Sequence, residues 1–329
     1  MYNRFFDKEK WENVLITNKI ILDDYILELK QARRAQGTIA QYYNDLRIFL
    51  IYIYDKLDNK NILDMTRRNF RDFSIWLIDE KKVSVARHNR MASVVRAFYN
   101  FIEEDDEIEL GENLARRLKS IPKEPVREVC FVSDEDVLRI KDELIKREMY
   151  QHAVLFMLAY DSAGRRNELA QVTKESFYDE ALNNTNPVLG KGRKVFPLVY
   201  FSGTKECAKL YLDWRGEDNI SSMWVTYRYN EVTQGQSYFL YTMFSEIKDI
   251  MGEMGINNEN FGSHAMRHSS LQNLADGTHY ICRERNLGRL DLSTLKEVAN
   301  HSSVSTTEGY LKDNKGSIYE DVFGVVLSD

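Results

Sequence analysis

The chain has 329 residues, a formal net charge of −6, 43% hydrophobic and 12% aromatic residues, and three cysteines. That length suits two domains of roughly 100–200 residues each, and the apolar content excludes a disordered chain. No apolar run approaches the ~20 residues of a membrane span, the charged start MYNRFFDKEKWENVL lacks a secretory signal, and Cys130, Cys207 and Cys282 show no metal-ligand spacing. A cytoplasmic protein with reduced thiols, no metal and no membrane association is expected. The acidic average counts only weakly against a nucleic-acid partner, because binding depends on where charge sits.

Residues 1–16 read as a lead-in. From Ile20 to Ile102 apolar residues recur at helical spacing, with breaks at Gly37, Asp58–Asn61 and Lys81–Ser84. Four helices are predicted, forming a bundle over 17–112. Residues 60–100 carry nine Lys/Arg against four Asp/Glu, and EEDDEIELGE (103–112) then adds seven acids. Pro122 and Pro125 lie in a charged stretch, so 113–130 is expected to be a linker.

A second domain is expected over 131–329. Ser133 reads as the N-cap of a helix, followed by helices over DEDVLRIKDELIKR, YQHAVLFMLAYDS and RRNELAQV. Pro187 and Pro197 bracket VLGKGRKVF, a predicted β-hairpin. Helices resume at YFLYTMFSEIKDIMGEMG, SHAMRHSSLQNLAD and TLKEVANH. The fold class is mainly α: a helical bundle plus a mixed α/β domain with a small antiparallel sheet.

Four short stretches carry groups with chemical potential. Ser263 can cap a helix that places His264, Arg267 and His268 in its first turns, where free N–H groups attract anions. These side chains either bind a phosphate or merely decorate a helix start. Arg165 and Arg166 open another helix, against its dipole, and ask for an anionic partner: a ligand, or Glu168 three residues on. Lys191, between two glycines at the hairpin tip, either donates a proton or contacts a phosphate, or is simply solvated. Ser305 to Glu308 fits a capping box, putting Tyr310 early on a short helix, as a core residue or a nucleophile.

In chain order these groups are Arg165, Lys191, His264, Arg267, His301 and Tyr310. On SAGRRNELAQV, GKGRKVFPL, HAMRHSSLQNLADG and ANHSSVSTTEGYL, together with GTIAQYYNDLRIFLIYI and RHNRMASVVRAFYNFI in the first half, the chain closely resembles the tyrosine recombinase (phage integrase) family. The resemblance covers nearly the whole chain. It implies a SAM-like core-binding domain followed by a catalytic domain of the tyrosine recombinase fold. By motif, Arg165 and Arg267 would grip the scissile phosphate of duplex DNA and Tyr310 would be the nucleophile. His264 and His301 would assist, and Lys191 would protonate the leaving oxygen. Glu168 and His268 would orient or pack beside the arginines. No metal or other cofactor is implied. Arg67, Arg68, Arg71, Arg87, Arg90 and Arg96 would meet phosphates, with Arg87, His88 and Arg90 also able to reach a groove.

The family further implies an inverted-repeat core site, a tetramer on two duplexes, and exchange through a Holliday junction. The tail, 311–329, would dock on its own domain or on the next subunit; accessory proteins are not implied either way. About 16 residues ahead of the bundle favour a simple two-domain type without an arm-binding domain: an integrase, resolvase or invertase of a mobile element. Type IB topoisomerase-like chemistry, hairpin formation, and DNA-binding regulation with an idle active site stay open. This chain departs from the family pattern in three places. Ser162-Ala163-Gly164-Arg165 stands where Thr-Gly-Leu/Ala-Arg is usual, Asn300 replaces a glycine, and extra basic residues at 278–290 are expected to touch DNA or a neighbouring subunit.

Overall fold

The computed structural model describes residues 5–122, 130–228, 231–235, 237–300, 303, 306, 307 and 311. Its contacts divide the chain into two compact units, Met1–Val126 and Arg127–Asp329.

The first unit is helical. A short helix, α1 (Lys8–Asn13), lies in the expected lead-in and starts where the Asp7 side chain accepts from the Lys10 N–H. Lys10 pairs with Asp55 at 2.6 Å, and the Arg47 guanidinium lies 3.6 Å from the Phe6 ring centroid and 4.9 Å from that of Trp11. Cation–aromatic stacking thus orders a segment whose sequence has no helical apolar repeat. The four predicted helices follow: α2 (Ile16–Gln31), α3 (Gln36–Lys56), α4 (Arg67–Ile75) and α5 (Val85–Glu104). A capping box between Thr66 and Asn69 starts α4, which runs on into a π-helical turn, Trp76–Glu80. Phe49, Phe70, Phe73 and Tyr99 form the centre of the core, with Phe49–Phe73 and Phe70–Tyr99 centroids 4.9 and 5.0 Å apart.

The expected linker begins too early. Residues Leu114–Arg117 form a 3-10 turn, and Ala115 and Leu118 are buried in the same core. Arg96 Nη1 donates to the Leu118 carbonyl at 2.5 Å, and the Asn89 side chain brackets Ile121, donating to its carbonyl and accepting from its N–H, both at 2.8 Å. Charge and proline content suggested an open path, but Leu114, Ala115 and Leu118 supply the apolar spacing that packs it.

In the second unit Ser133 caps α6 (Asp134–Lys146), as expected, accepting from the Asp136 N–H at 3.2 Å. α7 (Tyr150–Ser162) is buried from Ala153 to its last residue. The next helix, α8 (Arg166–Leu169), is half the predicted length. The predicted hairpin is β1 (Asn184–Leu189) paired antiparallel with β2 (Val195–Val199). α9 (Ser202–Arg215) and a second hairpin, β3 (Val225–Arg228) with β4 (Glu231–Gln234), come next. Neither was anticipated; four-residue strands are too short for a period-2 pattern to emerge. α10 (Ser237–Glu253), α11 (Ser263–Asp276), α12 (Tyr280–Glu284) and α13 (Leu292–Val298) complete the described elements. α11 begins after Gly262, so Ser263 is its first residue and not its cap.

Candidate active site

Arg165 follows a tight reversal at the end of α7. Ala163 adopts the left-handed conformation (φ 48°, ψ 27°) and ends the helix, so the chain turns at the alanine and not at Gly164. Glu168, buried one turn into α8, then fixes the arginine: Oε2 accepts the Arg165 backbone N–H at 2.8 Å and Oε1 accepts from Nη1 at 3.1 Å. Arg165 therefore occupies the carboxylate-supported position, and Arg166 does not.

Lys191 reaches the same place from the hairpin tip. The Gln171 side chain ties β1 to the chain after α8, accepting from the Leu189 N–H at 2.9 Å and donating to its carbonyl at 3.0 Å. Gly190 permits the approach, because a Cβ there would lie 2.5 Å from the Phe196 ring and 3.2 Å from Glu168 Oε1. Gly192, at φ 75°, closes the turn. His264 enters from the first turn of α11. Arg165, Glu168, Lys191 and His264 line one cleft of about 470 Å³, along with Arg166, Gly190 and Ser263.

Arg267, one turn further along α11, is 1% exposed and is not among the residues lining that cleft. Its terminal nitrogens donate to the carbonyls of Ala163 and of Ala299, the latter at 2.6 Å. Both carbonyls belong to left-handed turns: Ala163 itself, and Ala299 just before Asn300 (φ 51°). Asparagine tolerates this conformation in place of glycine. Arg267 thereby clamps the turn that delivers Arg165 to the turn that precedes His301. His301 and Tyr310 lie outside the described residues, as does all of the 311–329 tail except Leu311. His268 is half-buried beside Arg267.

A buried polar network backs the cleft. Asp161 accepts from Tyr280 OH, the Phe201 N–H and Thr204 Oγ1 at 2.8, 2.9 and 2.6 Å. Asp134 accepts from Tyr160 OH and the Tyr280 N–H, both at 2.8 Å, and from Arg283 Nη2 at 2.6 Å. Asn273 of α11 donates to Tyr160 OH at 2.9 Å. His279 stacks on Tyr160 with centroids 4.2 Å apart. The extra segment at 278–290 therefore braces α7 against α11 through its first residues. This role escaped a reading based on its basic charge, because Tyr280 and His279 point inward.

Electrostatics follow from these contacts. Partial burial of the ring, then the guanidiniums of Arg267, Arg165 and Arg166, hold His264 below the usual histidine range, which favours a neutral imidazole at pH 7. Burial lifts the Asp161 carboxyl to about 6 and drops His279 to about 4. Among the described residues no group of three or more His, Cys, Asp or Glu side chains is placed to hold a metal ion.

In the first unit, Arg67, Arg68 and Arg71 line a groove of about 760 Å³ with Arg117 and Lys119. The last two were assigned to the linker and not singled out as part of a cationic surface; the run RRLKS was their visible signal. Other expected contacts are engaged elsewhere. His88 is buried, with Nε2 2.7 Å from Ser74 Oγ and Nδ1 3.1 Å from Asn89 Oδ1, so it does not reach a groove. Arg90 is bound to buried Asp45 at 3.0 Å, Arg96 to the Leu118 carbonyl, and Arg87 lies 4.6 Å from the Phe5 ring centroid.

Residues 21–109 match the family model described as phage integrase, N-terminal SAM-like domain. The chain is 26% identical over 314 residues to the SPbeta prophage-derived recombinase-like protein YomM of Bacillus subtilis, covering 90% of this chain and 87% of that one. It is 27% identical to tyrosine recombinase XerC of Treponema denticola over 290 residues, 84% and 88% of the two chains. Among solved structures, it superposes with a TM-score of 0.63 on XerH site-specific recombinase bound to palindromic difH substrate, at 16% identity over 99% of this chain and 91% of that one. A lambda integrase tetramer bound to a Holliday junction gives 0.64 at 16% identity, over 90% and 78%. Over most of its length, and in its ordered Arg, Lys, His-x-x-Arg, His and Tyr motifs, the chain is similar to the tyrosine recombinases.

Proposed function

We propose that this chain is a site-specific DNA recombinase that cuts and rejoins strands through a 3′-phosphotyrosine on Tyr310. The observation that carries the reading is the cleft itself. Arg165, Lys191 and His264 converge there from three separate elements, and its one carboxylate among the described lining residues, Glu168, is paired with Arg165.

Attack by the Tyr310 oxygen on phosphorus builds negative charge on the non-bridging oxygens. Arg165 offers a charged fork to those oxygens, and Arg267 adds a second guanidinium behind it. His264, kept neutral, and His301 assist the transfer. As the bond from phosphorus to the 5′ oxygen breaks, Lys191 supplies that oxygen with a proton. The tyrosyl phosphate then retains a bond that a new 5′-hydroxyl can reseal. The substrates of the similar XerH and lambda integrase complexes support an inverted-repeat duplex site and a tetramer acting through a Holliday junction. The resemblance to a prophage-derived protein supports an integrase, resolvase or invertase of a mobile element, working in the cytoplasm on genomic DNA.

The test is a covalent trap. Protein mixed with fragmented DNA from its source organism and then denatured is expected to retain a short inverted-repeat sequence, and Tyr310→Phe none. Tight DNA binding without any adduct would overturn the enzyme reading. It would favour a DNA-binding regulator, a second reading that the engagement of both Arg267 terminal nitrogens with backbone carbonyls supports.

A further inference from the structure

A second cleft of about 360 Å³ adjoins the first and shares Arg166, Ser263 and His264 with it. Its remaining walls come from α10 and the loop before α11, including Tyr241, Lys248 and Phe261. No carboxylate is among its described lining residues, in a chain with 51 Asp/Glu against 45 Lys/Arg.

Arg166 joins the two clefts and is held unlike Arg165. Among the described residues its buried Nε makes no hydrogen bond, and its guanidinium lies 5.7 Å from the Tyr241 ring centroid. Tyr241 is itself 66% exposed. Lys248 contributes its backbone carbonyl to Asn258, while its ammonium has no ion pair among the described residues. Among the described residues the cleft thus offers two cations without an ion pair and an exposed ring, a composition that suits an anion joined to a flat or apolar group. A nucleotide unit of a DNA strand has this composition: a phosphate for the cations, and a sugar and base for the ring. Successive phosphates of one strand advance about 3.4 Å along the duplex axis, and the two clefts share three lining residues, so a strand seated in the first cleft has a neighbouring phosphate within reach of the second.

We propose that this second cleft binds the backbone phosphate next to the scissile one on the strand being cut, with Arg166 and Lys248 supplying the charge and Tyr241 packing on the attached sugar or base. The inference rests on reading the first cleft as the scissile-phosphate site.

Two measurements test it, using Arg166→Met, which keeps the aliphatic stem against Tyr241, and Arg166→Lys, which keeps the charge. Thermal melts establish that each variant is folded. In the first measurement the full chain binds a short random-sequence duplex across a salt series. Wild type is expected to show a steep slope of log affinity against log salt, Arg166→Met a slope shallower by about 0.9, and Arg166→Lys a slope near wild type. In the second, the duplex recovered by the covalent trap carries single neutral methylphosphonates beside the scissile position. One such linkage is expected to slow wild-type cleavage about tenfold and to leave Arg166→Met no slower than on unmodified DNA. An unchanged salt slope, or equal sensitivity of wild type and Arg166→Met at every position, overturns the second cleft while the function stands. Failure of wild type itself to bind or cleave overturns both.

Discussion

In the helical unit, Arg67, Arg68, Arg117 and Lys119 stand exposed around an open groove. In the second unit, Arg165 is fixed by a buried carboxylate and Arg267 by two backbone carbonyls. The two regions are both cationic, yet only the second spends structure on aiming its charge. Exposed arginines adapt to a backbone and contribute affinity through counterion release. Arginines held by buried partners stay oriented as charge develops, which is what lowers a barrier.

The largest test of this contrast is removal of an aimed guanidinium. Arg165→Ala or Arg267→Ala is expected to slow covalent adduct formation by about 10²–10³, read by quenched time courses at saturating DNA. Arg267→Lys should recover little, because an ammonium cannot hold two carbonyls in a planar fork. A loss confined to DNA affinity would break the comparison.

Next comes the brace behind the cleft. His279 is buried with its folded value near 4, below the ordinary 6.5. The unfolded chain therefore takes up the proton first as pH falls from about 6.5 towards 4, and stability falls with it, by about 2 kcal/mol at pH 5. His279→Phe keeps the stack on Tyr160 and removes this loss. Asp161, raised to about 6, acts in the opposite sense, so the variant should lose less stability than wild type between pH 7 and pH 5. Urea melts at both values decide it; an acid limb as steep as wild type would refute the assignment.

In the groove, Arg67→Ala and Arg68→Ala should each weaken binding to a random-sequence duplex and flatten its salt slope by about 0.9, measured by fluorescence anisotropy. Cleavage defects without a slope change would show that these arginines are aimed as well. The smallest effect is local. Ala163→Gly relieves a left-handed alanine and should stabilise the fold by about 1 kcal/mol, seen as a raised melting temperature. A drop instead would mean that the Ala163 methyl packs better than its backbone is strained.

How much was legible in advance differs between these regions for physical reasons. The four bundle helices announce themselves by long apolar periodicity, and the Gly-Lys-Gly hairpin by its turn chemistry. The fold of 114–121 was hidden because a few apolar residues among charges decide it. β3 and β4 were hidden because four-residue strands show little period; α9 was missed despite its 14 residues.

For the site, the resemblance of its motifs to the tyrosine recombinases singled out Arg165, Lys191, His264, Arg267, His301 and Tyr310 as a candidate set, where each motif read alone left its role open. Sequence also placed Glu168 beside Arg165, because three residues is one turn. Tertiary structure decided the rest. It put Lys191 next to Arg165 through the Gln171 tether and Arg267 behind the cleft on two distant carbonyls. It also turned His88 inward and made 278–290 a brace through Tyr280. Each of these depends on contacts between residues far apart in the chain, where local propensity and spacing carry no information about which partner is met.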